Sequence, residues 1–148
     1  MEKYINFVCN DQHFALSINQ VEKILLFQQP ARIPDTLDYV AGYYSYNEAP
    51  LPLIDMKKRL FEEKTVPDDQ TKIMVVHWQG DKLGLIVEKI THVKEFQNDS
   101  ENKDIEENSQ ISYLLETFHD QDGIIFHIDI DKLFSEEGVK ELHTLMKK

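Results

Sequence analysis

The chain has 148 residues, of which 41% are hydrophobic, a formal net charge of −11 and a single cysteine, Cys9. That apolar fraction is enough for a real core and excludes wholesale disorder. The acidic surplus would repel phosphate backbones and anionic lipid, which argues against nucleic acid or direct membrane binding as a main role, and one cysteine excludes an internal disulfide or a thiolate metal cluster.

The chain opens on Tyr4 to Cys9, rich in β-branched and aromatic residues, followed by a turn at Asn10-Asp11 and a second strand from Phe14 to Ile18. The pair reads as a hairpin. Ile18, Val21, Ile24 and Leu25 recur at spacings of three and four, which predicts one or two helical turns after it. Pro30 and Pro34 bracket an extended connector. Tyr39 to Tyr46 is strand-like, with Gly42 marking a bulge or a close backbone approach. Pro50 to Met56 reads as a strand whose prolines confine it to an edge or a bulge. Lys57 to Phe61 looks like a short helix, and Glu62 to Thr71 like a polar linker.

The pattern then starts again. Lys72 to Trp78 and Lys82 to Val87 are strands around a turn at Gln79-Gly80-Asp81, and Ile90 and Val93 predict a short turn or helix. Glu95 to Asn108 is polar and mainly acidic, the composition of a loop. Ile111 to Phe118 and Ile124 to Ile130 read as strands joined at Gln121-Asp122-Gly123. A last amphipathic helix runs from 135 to 147, with Val139, Leu142, Leu145 and Met146 on its apolar face and Ser135 as its cap. No stretch approaches the roughly 20 apolar residues of a bilayer span. The start of the chain carries no apolar signal core, so a cytoplasmic placement is expected.

Two segments recur in the same order. Asn10-Asp11-Gln12 matches Gln79-Gly80-Asp81. Pro52-Leu53-Ile54-Asp55-Met56 matches Phe126-His127-Ile128-Asp129-Ile130, and each of these leads into a basic-apolar turn, Arg59-Leu60-Phe61 or Lys132-Leu133-Phe134. The aspartate near each hairpin repeats at 70 residues, and Asp55 repeats as Asp129 at 74. Duplication accounts for both spacings. The expected fold is mainly β: two bent sheets of about five strands, each closed toward a barrel so that few edges stay open. Halves of about 70 residues are marginal alone and would pack together. The expected division is one domain over 1–148, with a subdomain at about 10–65 (first strand from residue 4), a second at about 72–134, and the C-terminal helix.

Catalytic and metal readings fare poorly. His13, His77, His92, His119, His127 and His143 show no ligand spacing of a known metal site. Asp120-Gln121-Asp122-Gly123 lacks the later acidic positions of a calcium loop. Asp129 reads as a strand-end cap rather than half of a carboxylate pair with Asp131. Cys9, on a strand beside Val8, reads as a small core residue rather than a nucleophile for His13. No catalytic residue, metal or cofactor is assigned. Tyr39, Tyr43, Tyr44 and Tyr46 form an aromatic group that serves either packing or an interface.

Over nearly its whole length the chain resembles the CheW-type domain of chemotaxis coupling proteins. The resemblance is carried by Phe7 to Ile18, Val21, Ile24, Arg32-Ile33-Pro34, Val40-Ala41-Gly42-Tyr43-Tyr44, Pro52-Leu53-Ile54-Asp55, Gly84 to Ile90 and Ile124 to Phe134. It implies two intertwined five-stranded SH3-like barrels with short helices and a C-terminal helix. It also implies a non-enzymatic adaptor in bacterial signal transduction, which joins the CheA-like regulatory domain of a histidine kinase to the cytoplasmic helical tips of chemoreceptors. Such an adaptor reaches the inner membrane face only through receptor arrays, and homo- or hetero-oligomeric rings are among its assemblies. The residues it implies for the receptor groove are Val21, Lys23, Ile24, Asn47, Val87 and Glu88. Ile33, Gly42 and Tyr43 would meet the kinase.

Two departures stand out. Where the family carries Asn-Leu-Arg-Gly, this chain has Ser45-Tyr46-Asn47-Glu48, and where it carries glutamate two residues after Val21, this chain has Lys23. Joint loss of that glutamate and arginine implies altered partner choice, and the missing glycine at Glu48 predicts a different turn, since glutamate resists positive φ. Two alternatives stay open at this point: an adaptor for another sensory two-component pathway, and a small β-barrel that binds a ligand or metal as an enzyme.

Overall fold

The computed structural model describes residues 2–96, 113–121 and 123–146. Most of the expected loop at 95–108, and Ile111 at the start of an expected strand, lie outside the described residues. So does Asp122 of the last hairpin turn.

Among the described residues, ten strands alternate with short helical pieces. In chain order they are β1 (Glu2–Cys9), β2 (Gln12–Ser17), a 3₁₀ turn (Ile18–Gln20), β3 (Val21–Leu26), β4 (Val40–Tyr46), β5 (Ala49–Asp55) and α1 (Met56–Phe61). There follow β6 (Lys72–Trp78), β7 (Asp81–Val87), β8 (Lys89–Phe96), β9 (Leu114–Asp120), β10 (Gly123–Ile128), a 3₁₀ turn (Ile130–Lys132) and α2 (Glu136–Met146).

The strands form two sheets with the same plan. The first is ordered β8-β1-β2-β10-β9 and the second β3-β6-β7-β5-β4. Each half of the chain therefore contributes two strands to one sheet and three to the other, which is what intertwines the barrels. Each sheet contains one parallel pair, β2 with β10 and β5 with β7, where strands of different halves meet.

Alternation along the strands supplies three cores. Ile73, Val75, Leu51, Leu53 and Ile86 fill the inside of the second sheet, joined by Leu25, Tyr44 and Tyr46. Tyr4, Ala15, Phe118 and Ile125 fill the inside of the first. The opposite faces, including Phe7, Phe14, Leu16, Met74, Val76, Trp78 and Leu85, meet in a central core that Leu142 and Leu145 of α2 complete. Both faces of β6 are thus buried, which accounts for its unbroken apolar run.

The duplication is closer in space than in sequence. The hairpin β1–β2 pairs Cys9 with Gln12, and β6–β7 pairs Trp78 with Asp81, so the turns correspond in register at a shift of 69 residues rather than 70. Both central residues of each turn have positive φ, which matches the twist of the flanking strands. β3 skips Glu22 opposite Val75 and Val76, and β8 skips Thr91 opposite Asn6 and Phe7, at that same shift. β4 skips Ala41 and β9 skips Leu115, 74 residues later.

Those bulges correct two expectations. The segment after the first hairpin is helical only over Ile18–Gln20, and Val21–Leu26 is a strand. Ile90 and Val93 also lie in a strand, β8. In each case one extra residue turns a spacing of two into three and imitates a helix. A third correction concerns β5. It lies inside the sheet, between β7 and β4, yet its pairing with β7 begins at Leu53. Pro50 and Pro52 precede that ladder, so their missing N–H groups break no bond with β7.

Gly42 shows both features read from the sequence. It follows the β4 bulge, has φ of +140°, and a Cβ there would lie 2.1 Å from the carbonyl oxygen of Ala31. That closeness permits the Ala31–Tyr43 backbone bridge, with hydrogen bonds of 3.0 and 2.9 Å. Ser135 caps α2 through a bond from the Gly138 amide, and Asp129 accepts from the Asp131 amide at a strand end, as read.

Candidate partner-binding surfaces

The two end strands of the second sheet, β3 and β4, carry most of the residues in question. Beyond the end of β3, Ala31 bridges to Tyr43 on β4. At the other end of β4 the contact is made by side chains. The Tyr46 hydroxyl donates to Glu22 Oε2 at 2.6 Å, Lys82 Nζ from β7 lies 3.1 Å from Glu22 Oε1, and His77 Nε2 from β6 lies 3.9 Å away. Lys82 also sits over the Tyr46 ring, 5.6 Å from its centre. The Tyr46 hydroxyl, then the Lys82 ammonium, hold the Glu22 carboxyl below its usual range. The same hydrogen bond raises the Tyr46 hydroxyl.

The first sheet closes its end strands in a parallel way. Lys94 of β8 meets Asp120 of β9 at 2.7 Å, and Asp120 stands 74 residues after Tyr46.

Of the residues implied for a receptor groove, Lys23 and Ile24 are exposed on β3, Ile24 at 42%, and Leu26 beyond them reaches 72%. Val21 is half-buried against the central core. Asn47 stands at the tip of the β4–β5 hairpin, next to Tyr46. Val87 and Glu88 are placed elsewhere. Val87 is fully buried, two strands from β3 and level with Leu26. Glu88 accepts from the Asn10 amide and faces Lys57 Nζ at 3.5 Å. The structure therefore gathers Val21, Lys23 and Ile24 on one edge, with Asn47 linked to it through Tyr46, and leaves Val87 and Glu88 apart.

Asn47 and Glu48 correct a further expectation. Glu48 adopts positive φ (66°), as does Asn47 (50°), and Tyr46 pairs with Ala49 across them. The two-residue hairpin needs positive φ at both central positions, and strand twist overrides the reluctance of glutamate.

The residues implied for the kinase share a second surface. Ile33 and Tyr43 line a shallow cavity of about 500 Å³ with Arg32, Pro34, Pro50 and Leu145 of α2. Tyr43 is 39% exposed, whereas Gly42 is buried under Ala31. The tyrosines do not form one patch: Tyr44 and Tyr46 pack inside the second sheet, and Tyr39 stacks on Phe134. Ser45 and Glu48, two of the altered motif residues, border this cavity, while Asn47 faces the one beside Lys82 and His77.

Sequence reasoning missed Glu22, Lys82 and His77. Their cluster joins four strands across large separations in the chain, and no local spacing announces it.

Comparisons with known proteins agree with this architecture. A family model described as the CheW-like domain matches residues 3–138. A chemotaxis protein CheW of Bacillus subtilis is 32% identical over 92 residues, covering 62% of this chain and 59% of that protein. One from Klebsiella aerogenes is 21% identical over 92 residues, covering 62% and 55%. The matched stretch thus spans less than two thirds of either relative. In fold, the chain is similar to a crystal structure of the scaffolding protein TtCheW from Thermoanaerobacter tengcongensis, with a TM-score of 0.82 and 24% identity over 93% of this chain and 90% of that one.

Proposed function

Because the chain belongs to the CheW-like domain family, we propose that it is a chemotaxis coupling adaptor that works by binding alone, without catalysis. The observation that carries this reading is the family match over residues 3–138, nearly the whole chain. Its partners are the CheA-like regulatory domain of a histidine kinase and the cytoplasmic helical tip of a chemoreceptor. No described helix is long and apolar enough to cross a membrane. The protein works in the cytoplasm and reaches the inner membrane face through receptor arrays, in rings with the kinase or with copies of itself.

The receptor helix lies along the β3 edge, against Val21, Lys23 and Ile24, with Asn47 at one end and Leu26 at the other, while Val87 and Glu88, set apart from this edge, do not reach it. The exposed apolar Ile24 and Leu26 support this placement, since an amphipathic helix needs apolar anchors in reach. The kinase domain meets the surface around Ile33 and Tyr43, with Gly42 fixing its backbone. The apolar cavity shared by Ile33, Tyr43 and Leu145 supports that assignment. A second reading, an adaptor for a different sensory pathway, draws on Lys23 and Ser45 to Glu48, where the chain departs from the family motif.

The test is co-sedimentation with kinase and receptor fragments from the same genome. Binding of both at about 50 µM is expected, and binding of neither overturns the reading. Binding of the kinase fragment alone favours the second reading.

A further inference from the structure

We propose that Glu22 is the positioning residue of the β3 recognition edge, holding shut the seam between the two end strands of the second sheet. The inference rests on the coupling role of β3 proposed above.

Four observations carry it. β3 and β4 are opposite ends of one sheet and share no ladder. Beyond β3 the seam is fastened by backbone at Ala31–Tyr43, but at the far end of β4 it is fastened by Glu22 and Tyr46. Glu22 is the extra residue of a bulge, the device that re-aims a side chain off the regular pleat. Finally, the fold does not require a carboxylate there. At the duplicated position in the other sheet stands Thr91, whose hydroxyl donates to the Asn6 carbonyl at 3.3 Å, and that seam carries the Lys94–Asp120 pair instead.

The consequence for recognition is geometric. Glu22 lies between Val21 and Lys23, and Tyr46 lies next to Asn47. One hydrogen bond thus fixes the two arms of the surface relative to each other. Lys82 neutralises the carboxylate from β7 and covers the Tyr46 ring, so the clamp is registered against the sheet interior as well. Without it, β3 would remain paired to β6 but free to tilt away from the hairpin, and a rigid helix would lose one of its two supports.

The experiment uses the full chain with Glu22→Ala, Glu22→Gln and Tyr46→Phe, alone and as Glu22→Ala/Tyr46→Phe. Amide hydrogen exchange over residues 21–26 reads the seam directly, and should speed up about tenfold in Glu22→Ala. Affinity for the receptor-tip fragment should fall about tenfold, while affinity for the kinase fragment changes less than about twofold. Gln, which still accepts from Tyr46, should restore most of the affinity, and the double variant should be no worse than Glu22→Ala. Unchanged exchange in β3 overturns the clamp. An equal loss toward both fragments also overturns it, because Glu22 would then act only on overall stability. If the unmodified chain binds neither fragment, the coupling role falls, and the exchange measurement still decides whether Glu22 closes the seam.

Discussion

Tyr39 and Tyr113 occupy one and the same place in the two halves, and a single arginine serves both. Each gives its backbone carbonyl to the amide of an aspartate at a strand end, Asp55 at 2.8 Å and Asp129 at 2.7 Å. The Arg59 guanidinium lies 6.0 Å from the Tyr39 ring centre and 5.2 Å from that of Tyr113. Its Nε donates to the Leu133 carbonyl at 2.8 Å, within the basic-apolar turn Lys132-Leu133-Phe134 that repeats its own. One arginine of the first half thus ties both tyrosines and the repeated turn of the second half together. Arg59→Ala should cost about 2 kcal/mol, the usual worth of a charged hydrogen bond with some cation–π attraction. Lysine should recover less than half of it, lacking the planar fork. Urea unfolding of the three proteins measures this, and a loss under about 0.5 kcal/mol would contradict the account.

Gly42 should tolerate no side chain. Its φ of +140° forbids one, and so does the carbonyl oxygen of Ala31, 2.1 Å from where a methyl carbon would sit, because that neighbour is backbone and cannot swing aside. Gly42→Ala should cost about 3 kcal/mol or more and open the Ala31–Tyr43 bridge. Gly84 is a milder case. A methyl there first meets the flexible end of Leu53 at 2.4 Å, so Gly84→Ala should cost clearly less. Thermal unfolding ranks the two, and the reverse order would be incompatible with these contacts.

Much of this was legible before the fold was known, and what was not has a physical reason. Strand pairs around Asn10-Asp11 and Gln79-Gly80, the recurring aspartates and the bulge at Gly42 all leave local marks, because turn chemistry and alternation act within a few residues. Val21–Leu26 and Ile90 with Val93 were obscured by the same duplicated bulge, which adds one residue to the period. The exchange of strands between halves leaves no local trace, since parallel pairs such as Phe14 with Phe126 are decided by the packing of whole sheets. The Glu22 cluster is hidden for the same reason: its members share no spacing, only a seam.

Glu48 holds the left-handed backbone of the β4–β5 turn at φ 66°, beside Asn47 at φ 50°. A non-glycine residue costs about 1 kcal/mol in that region, partly offset by the entropy that glycine loses on folding. Glu48→Gly should therefore stabilise the chain by up to about 1 kcal/mol, seen as a higher urea midpoint with an unchanged slope. A lower midpoint would mean that the Glu48 side chain makes a contact worth more than the strain.

His127 makes acid stability depend on one buried ring. It packs 5.7 Å from the Phe118 ring and edge-on to Tyr4 at 4.9 Å, and its Nδ1 is buried without a hydrogen-bond partner among the described residues. Burial pushes its pKa down, against smaller upward pulls from Glu2 and Asp129. The unfolded chain therefore takes up a proton near pH 6.5, where the folded ring still refuses it. The stability tied to the neutral ring is present above that pH and drains away as pH falls toward the lower folded value. His127→Phe fills the same aromatic niche without a titrating group. Its urea midpoint should drop less between pH 7 and pH 5 than that of the unmodified chain, and equal drops would place the acid sensitivity on the carboxylates instead.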